Sequence, residues 1–378
     1  MSIPIGPRGG SIDSSLAGSY QASPVKSMIY GRGASRNLAT IIETLGASRA
    51  FIITGQSLST KTPVIRDIER SLGNSHVGTF NKIAQHAPIL AIREAKNLVR
   101  ETRADVLISI GGGSPIDSAK AIAYQIFVET RTWIPTIAVP TTLSVAETTQ
   151  NAGFTTEDQK KIAVSHPELV PKVVVYDGDI AVYTPTNLWT STGIRALDHA
   201  VELLYHPLAS EIPTKRLALT AITDLFALLP QSLSSPQDAD VRQKLFLAAY
   251  SSLFPFLYTG GVGLSHSIGH SLGATYNIPH GITSCLTLAP VIELKSRANP
   301  EEAKQIARVL SYIGIEPSGD AGNDAARVGV EVAWLVESLG HKSTLTQVSV
   351  DRVWICLSSP DTVRKIGASF RARGNLRD

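Results

Sequence analysis

Only two cysteines, Cys285 and Cys356, occur in 378 residues. They share no metal-binding or dithiol spacing, which excludes a disulfide framework and makes a reducing, cytoplasmic compartment the expectation. Long hydrophobic runs are missing too. No stretch of about 20 consecutive apolar residues is present to span a bilayer, so no membrane partner is expected. The opening residues, 1–25, are rich in Gly, Ser and Pro and lack a basic end followed by an apolar segment. They read as a flexible arm and not as a secretory signal. Strong charge of one sign is absent as well. The formal net charge is +3 with no basic run, which argues against tracking a phosphate backbone and excludes nucleic acid as the expected partner. No internal repeat or long low-complexity tract is present.

What the chain does have is a composition that is 43% apolar and 18% charged, that of a globular protein with a substantial core. Its 378 residues leave room for two domains, since domains commonly run to about 100–200 residues. Over the first half, short apolar runs alternate with helical periods. KSMIYG, RAFIITG, HVGTF, ADVLISIGGG and TIAVPTT read as strands. ASRNLATIIETLG closed by Gly46, TPVIRDIERSLG with Pro63 near its first turn, ILAIREAKNLVRETR and SPIDSAKAIAYQI read as helices. This alternation predicts an α/β domain with a parallel sheet covered by helices. A pair of strands is expected around GFTTEDQKKIAVS and VPKVVVYD. From about Thr184 long helical periods take over. The division is therefore an N-terminal arm over 1–25, an α/β domain over 26–182 and an all-α domain over 183–378.

Three stretches carry residues suited to chemistry. In LISIGGGSPIDSAKAIA, Gly111, Gly112 and Gly113 join a strand to a helix, with Ser114 as a candidate N-cap and Pro115 at the first helical position. Free N–H groups and the positive end of the helix dipole make such a junction an anion site. A pyrophosphate cradle and a well-capped tight turn both fit it. In GLSHSIGHSLGATYNIPHG, His266 and His270 lie four apart on one helix face, and His280 follows a break that could bring it back beside them. Three imidazoles suit zinc or iron, and the spacing is not that of a metalloprotease. In GIRALDHAVELLY, Arg195, Asp198 and His199 share a helix face. They read either as a buried site or as a solvated stripe in which Arg195 pairs with Asp198 or Glu202. His86 in QHAP and His206 are isolated histidines, for which a structural role is the expectation.

The order and spacing of GGGSPIDSAKAIA, VPTT, RALDHAVE and HSIGHSLGATYNIPHG resemble the iron-containing alcohol dehydrogenase superfamily, from about Lys26 to about Lys365. The resemblance implies a Rossmann-like N-terminal domain followed by a helical C-terminal domain, the dehydroquinate synthase-like fold, with the active site in the cleft between them. The short LSVAE after VPTT, together with QHAP and HPELVPKVVVYD, is similar to the maleylacetate reductase branch. Hydride transfer between a nicotinamide cofactor and a carbonyl or alcohol is then implied, in an enzyme that is expected to be a homodimer.

By that resemblance, Gly111, Gly112, Gly113 and Ser114 hold the cofactor pyrophosphate, with Asp117 in the same turn. Thr141, Thr142 and Leu143 lie along the adenosine and ribose. Gly55 stands where NAD-dependent relatives carry an Asp for the ribose hydroxyls. Without that carboxylate a 2′-phosphate is not repelled, and Gln56, Ser57 or Lys61 could help to bind it, so NADPH is tolerated as well as NADH. The alcohol dehydrogenases use one Asp and three His for their metal. The histidines match His199, His266 and His280, but Arg195 occupies the Asp position. A guanidinium cannot ligate a metal. The expectation is therefore no metal, with Arg195 taking over its electrostatic role and His270 binding substrate or relaying a proton. The substrate implied is a small carboxylate or carbonyl compound, reduced as in maleylacetate reductases. Two alternatives stand beside this: a zinc or iron alcohol dehydrogenase using the three histidines, and a redox-neutral enzyme or ligand-binding protein on the same fold.

Overall fold

The computed structural model describes residues 20–158, 160–255, 262–276 and 278–348. The arm over 1–19, Cys356 and the basic end of the chain lie outside the described residues.

Six parallel strands build the N-terminal sheet: β1 (Ser27–Tyr30), β2 (Ala50–Thr54), β3 (His76–Phe80), β4 (Val106–Gly111), β5 (Thr136–Pro140) and, after an intervening hairpin, β8 (Val173–Tyr176). Their order is β1-β8-β5-β4-β2-β3. The central strands are buried along their whole length, which is why they read as continuous apolar runs with no polar alternation. Alternate residues serve opposite faces. Ile52, Ile108 and Ile137 pack under the helices Leu38–Thr44 and Val64–Leu72. Phe51, Ile53 and Leu107 pack under Ile89–Glu101 and Gly113–Thr130. The chain order reverses between β2 and β4, so the carboxyl ends of these two strands form the switch point at which open α/β sheets bind ligands.

Two expectations need correcting. GFTTEDQKKIAVS does not pair with VPKVVVYD. It folds on itself as the antiparallel hairpin β6 (Asn151–Thr155) and β7 (Lys161–Ser165), while β8 enters the main sheet between β1 and β5. Ser114 is not an N-cap: the helix begins at Gly113, Gly112 takes the cap position, and no side chain caps it.

After β8 every described element is helical. Helix Thr186–Leu204 runs through the middle and is buried on all sides from Trp189 to Leu204. Helices Arg216–Ser234, Ala239–Ser252, Leu264–Tyr276, His280–Ala298 and Ala321–Ser338 surround it. Trp189 anchors the core, with Phe246 edge-on at 5.2 Å and the Arg242 guanidinium 4.3 Å from its ring centre. Glu211–Ser234 has the length and composition to cross a bilayer, but Leu219, Ile222, Leu225 and Leu229 on it are fully buried in this core.

Candidate active site

The glycine crossing sits at the switch point. Gly111 has φ 141°, open only to glycine, and a Cβ there would press on Pro115 at 2.9 Å. A Cβ on Gly112 would meet Thr142 at 3.1 Å. The first turn of helix Gly113–Thr130 presents N–H groups that no side chain caps, at a crossing made of three glycines, which fits a pyrophosphate. Ser114 Oγ accepts the His86 N–H at 3.1 Å, which leaves its own proton to donate. Gly55 follows β2 next to this crossing, and the exposed Gln56 and Ser57 open the short helix after it.

Other residues named from the sequence face elsewhere. Asp117 accepts the Gly153 N–H of β6 at 3.2 Å, and desolvation pushes its carboxyl up to about 6 against the pull of Lys120. Lys120 is fully buried and donates to the carbonyls of Ala146, Thr149 and Asn151 at 2.6, 2.7 and 3.0 Å. Leu143 is buried in the helical core, and its N–H donates to Thr192 Oγ1 at 3.1 Å. Thr141 is buried too, its carbonyl accepting from Thr184. Of these three, Thr142 borders the glycine crossing.

Across from the crossing, helices Thr186–Leu204, Leu264–Tyr276 and His280–Ala298 bring the histidines together. Ring centres lie 4.3 Å apart for His199 and His266, 6.3 Å for His266 and His270, and 5.2 Å for His270 and His280. Arg195 is only 7% exposed, so its helix face is a buried site and not a solvated stripe. Its Nη1 reaches Ser284 Oγ at 3.4 Å, and the Ser284 hydroxyl donates to Asp198 Oδ2 at 2.7 Å. Asp198 pairs with His266, not with Arg195.

Glu202 completes the base of the cluster. It accepts the backbone N–H groups of Ser265 and His266, the Tyr205 hydroxyl at 3.2 Å, and faces His266 Nδ1 at 3.1 Å. Burial and Arg195 lower the His266 imidazole, but Asp198 and Glu202 outweigh them and hold it above its ordinary value. Burial, then His266 and Arg195, keep His199 well below the usual range. The His270 side chain keeps an exposed edge, but desolvation followed by Arg195 lowers it to about 3. Burial and Arg195 lower His280 as well. Of these four imidazoles His266 alone is held above its ordinary value, and the other three are pushed below it under a permanent guanidinium charge.

Two residues join this site from the N-terminal domain, and sequence reasoning passed over both. The His86 ring stands edge-on to His280 at 5.5 Å and 90°. Lys161 of β7 reaches in so far that a Cβ on Gly273 would lie 3.3 Å from its Nζ and 3.6 Å from His280 Cε1. Its Nζ has no hydrogen-bond partner among the described residues, and burial followed by Arg195 lowers it to about 8. The one sequence signal for His86 was the likeness of QHAP to a reductase pattern. Lys161 sits in a run of charges with nothing to mark it.

For a metal, the set at the family positions fits poorly. His199 Nδ1, His266 Nε2 and His280 Nδ1 are buried without hydrogen-bond partners, but the fourth position is a cation. A second group, Asp198, Glu202 and His266, is close enough to hold an ion. It could do so only by giving up hydrogen bonds that Glu202 and His266 already make.

A parallel-sheet domain with a glycine crossing at its switch point, facing a helical domain that supplies histidines, is the architecture of a two-domain enzyme with its candidate site between the domains. Residues 25–178 match the family described as iron-containing alcohol dehydrogenase, and residues 189–363 match the C-terminal domain of the Fe-containing alcohol dehydrogenase family. The chain belongs to the iron-containing alcohol dehydrogenase family. It is 29% identical over 327 residues to maleylacetate reductase of Rhizobium sp. strain MTP-10005, covering 85% of this chain and 87% of the other. It is 30% identical to the Sphingobium indicum maleylacetate reductase, over 83% and 85% of the two chains. NAD-dependent methanol dehydrogenase of Bacillus methanolicus is 28% identical over 75% and 77%. The crystal structure of the Rhizobium reductase superposes with a TM-score of 0.73 at 26% identity, over 88% of each chain.

Proposed function

We propose that the chain is a metal-independent NAD(P)H-dependent reductase of keto acids, related in activity to maleylacetate reductases. One observation carries this: the position that supplies an anionic metal ligand in alcohol dehydrogenases holds Arg195, and Lys161 reaches the same pocket from the other domain. Two cations converging on a histidine pocket favour a substrate that brings negative charge with it.

Gly111, Gly112, Gly113 and Ser114 hold the cofactor pyrophosphate, Thr142 borders it, and the surface at Gly55, Gln56 and Ser57 leaves room for a 2′-phosphate. When bound, the reduced nicotinamide supplies hydride. Arg195 then stabilises negative charge developing on the substrate oxygen. His270, open to the cleft, orients the substrate and relays to it a proton from solvent in the cleft. His266, fixed between Asp198 and Glu202, is the imidazole of the cluster most inclined to hold positive charge. A second reading, a metal-dependent alcohol dehydrogenase, draws on the unpartnered imidazole nitrogens and on the methanol dehydrogenase relative.

Steady-state kinetics decide between them. NADPH and NADH are offered with maleylacetate, other keto acids, and short aldehydes, before and after chelation. Keto-acid turnover that survives chelation supports the proposal. Aldehyde turnover that requires zinc or iron shifts the assignment to the second reading. Failure to bind either nucleotide would favour a redox-neutral role. Arg195→Ala is expected to lower kcat about 10²–10³-fold with nucleotide affinity changed less than about twofold.

A further inference from the structure

His86 lies on the turn between β3 and helix Ile89–Glu101, at the carboxyl edge of the sheet. It has φ 65° and Ala87 has φ 49°, and among the described residues no other two adjacent residues with side chains are left-handed. Such a conformation costs free energy and persists only where its surroundings over-determine it. Here they do. The His86 N–H is fixed by Ser114 Oγ, its carbonyl accepts from Thr155 Oγ1 at 3.1 Å, and the Ala87 carbonyl accepts the Thr155 N–H at 3.2 Å. Thr155 stands directly opposite Lys161 in the β6–β7 hairpin. One residue pair therefore anchors the His86 turn and aims Lys161, and both side chains converge on His280. A turn needed only to connect a strand to a helix has no use for a double left-handed kink that carries an imidazole into the cleft.

We propose that His86 is a substrate-binding residue of this site, contributed by the nucleotide domain. Its imidazole hydrogen-bonds a carboxylate of the substrate beside His280 and the Lys161 ammonium. In a keto diacid, the substrate type of the reading above, this is the carboxylate that Arg195 does not take. This rests on the keto-acid reading above. It explains why a residue without a place among the metal-position histidines is held beside them.

The test is the binding of maleate, a dicarboxylate, measured by calorimetry on the full chain saturated with NADP⁺, which has no hydride to transfer. Parent, His86→Ala and His86→Asn are compared; Asn tolerates the left-handed backbone and keeps the turn if Ala disturbs folding. We expect His86→Ala to weaken maleate binding and raise the maleylacetate KM at least tenfold. The NADPH dissociation constant should stay within twofold and Tm should not fall, results that a merely structural role would not give. A loss of maleate affinity below threefold in the folded variants overturns the assignment. A parent that neither binds maleate nor reduces maleylacetate overturns the keto-acid reading first, and this inference with it.

Discussion

Arg195→Asp restores the residue type that alcohol dehydrogenases carry at this position, and it turns the electrostatics of the pocket around. Unit charges about 4 Å apart at an effective dielectric of about 20 interact by about 4 kcal/mol. A divalent ion doubles that figure, and exchanging a cation for an anion doubles it again, a gross change of about 16 kcal/mol in favour of the metal. Removing the ion and the new carboxylate from water offsets several kcal/mol for each. Asp198 and Glu202 already place negative charge nearby in the parent, which narrows the contrast further. If only about 4 kcal/mol survives, zinc affinity rises about a thousandfold. Without metal the variant has three carboxylates crowded on one buried helix, so its Tm should fall. Zinc should restore that loss by binding the folded state alone. The assay is thermal unfolding of parent and variant with chelator and with zinc, paired with elemental analysis. No zinc-dependent shift in the variant would refute the reasoning. So would stoichiometric zinc in the parent that is lost on changing His199 or His280, since the ion would then coexist with Arg195.

Lys161 gives a pH signature. Burial, then Arg195, brings its ammonium down to about 8, so it is charged below that pH and neutral above it. Keto-acid KM should be flat below about pH 7 and climb as pH passes 8, and Lys161→Met should have a high KM with that inflection gone; the same inflection in the variant would assign it to another group. Lys120→Met removes a buried ammonium that donates to three carbonyls. It should destabilise the chain by about 3–5 kcal/mol in urea unfolding, because the carbonyls and the neighbouring Asp117 carboxyl are left without their buried cation; a loss under about 1 kcal/mol would show that water replaces the lysine.

The elements were legible because each carries its own local signal. Buried strands such as Val106–Gly111 show as apolar runs, and Gly46, Pro63 and the glycines after β4 punctuate them where the backbone demands it. The hairpin Asn151–Ser165 was misassigned because sequence does not say which neighbour a strand pairs with. Ser114 was taken for a cap because serine is a good one, whereas in the fold its hydroxyl is already engaged by the His86 N–H.

The sequence by itself determined the two-domain plan, the glycine crossing, the shared helix face of His266 and His270, and that of Arg195, Asp198 and His199. Each lies within a single helix or a single turn, where spacing in the chain is spacing in the molecule. Tertiary structure alone decided the partners. Asp198 and Glu202 bracket His266 from 64 to 68 residues away in the chain, and Ser284 stands between Arg195 and Asp198. His86 and Lys161 arrive from the other domain. Lys161 has no local pattern that separates it from a surface lysine, and QHAP alone marks His86. What makes each different is the desolvation and charge of its surroundings, and those come into being only when the domains close on one another.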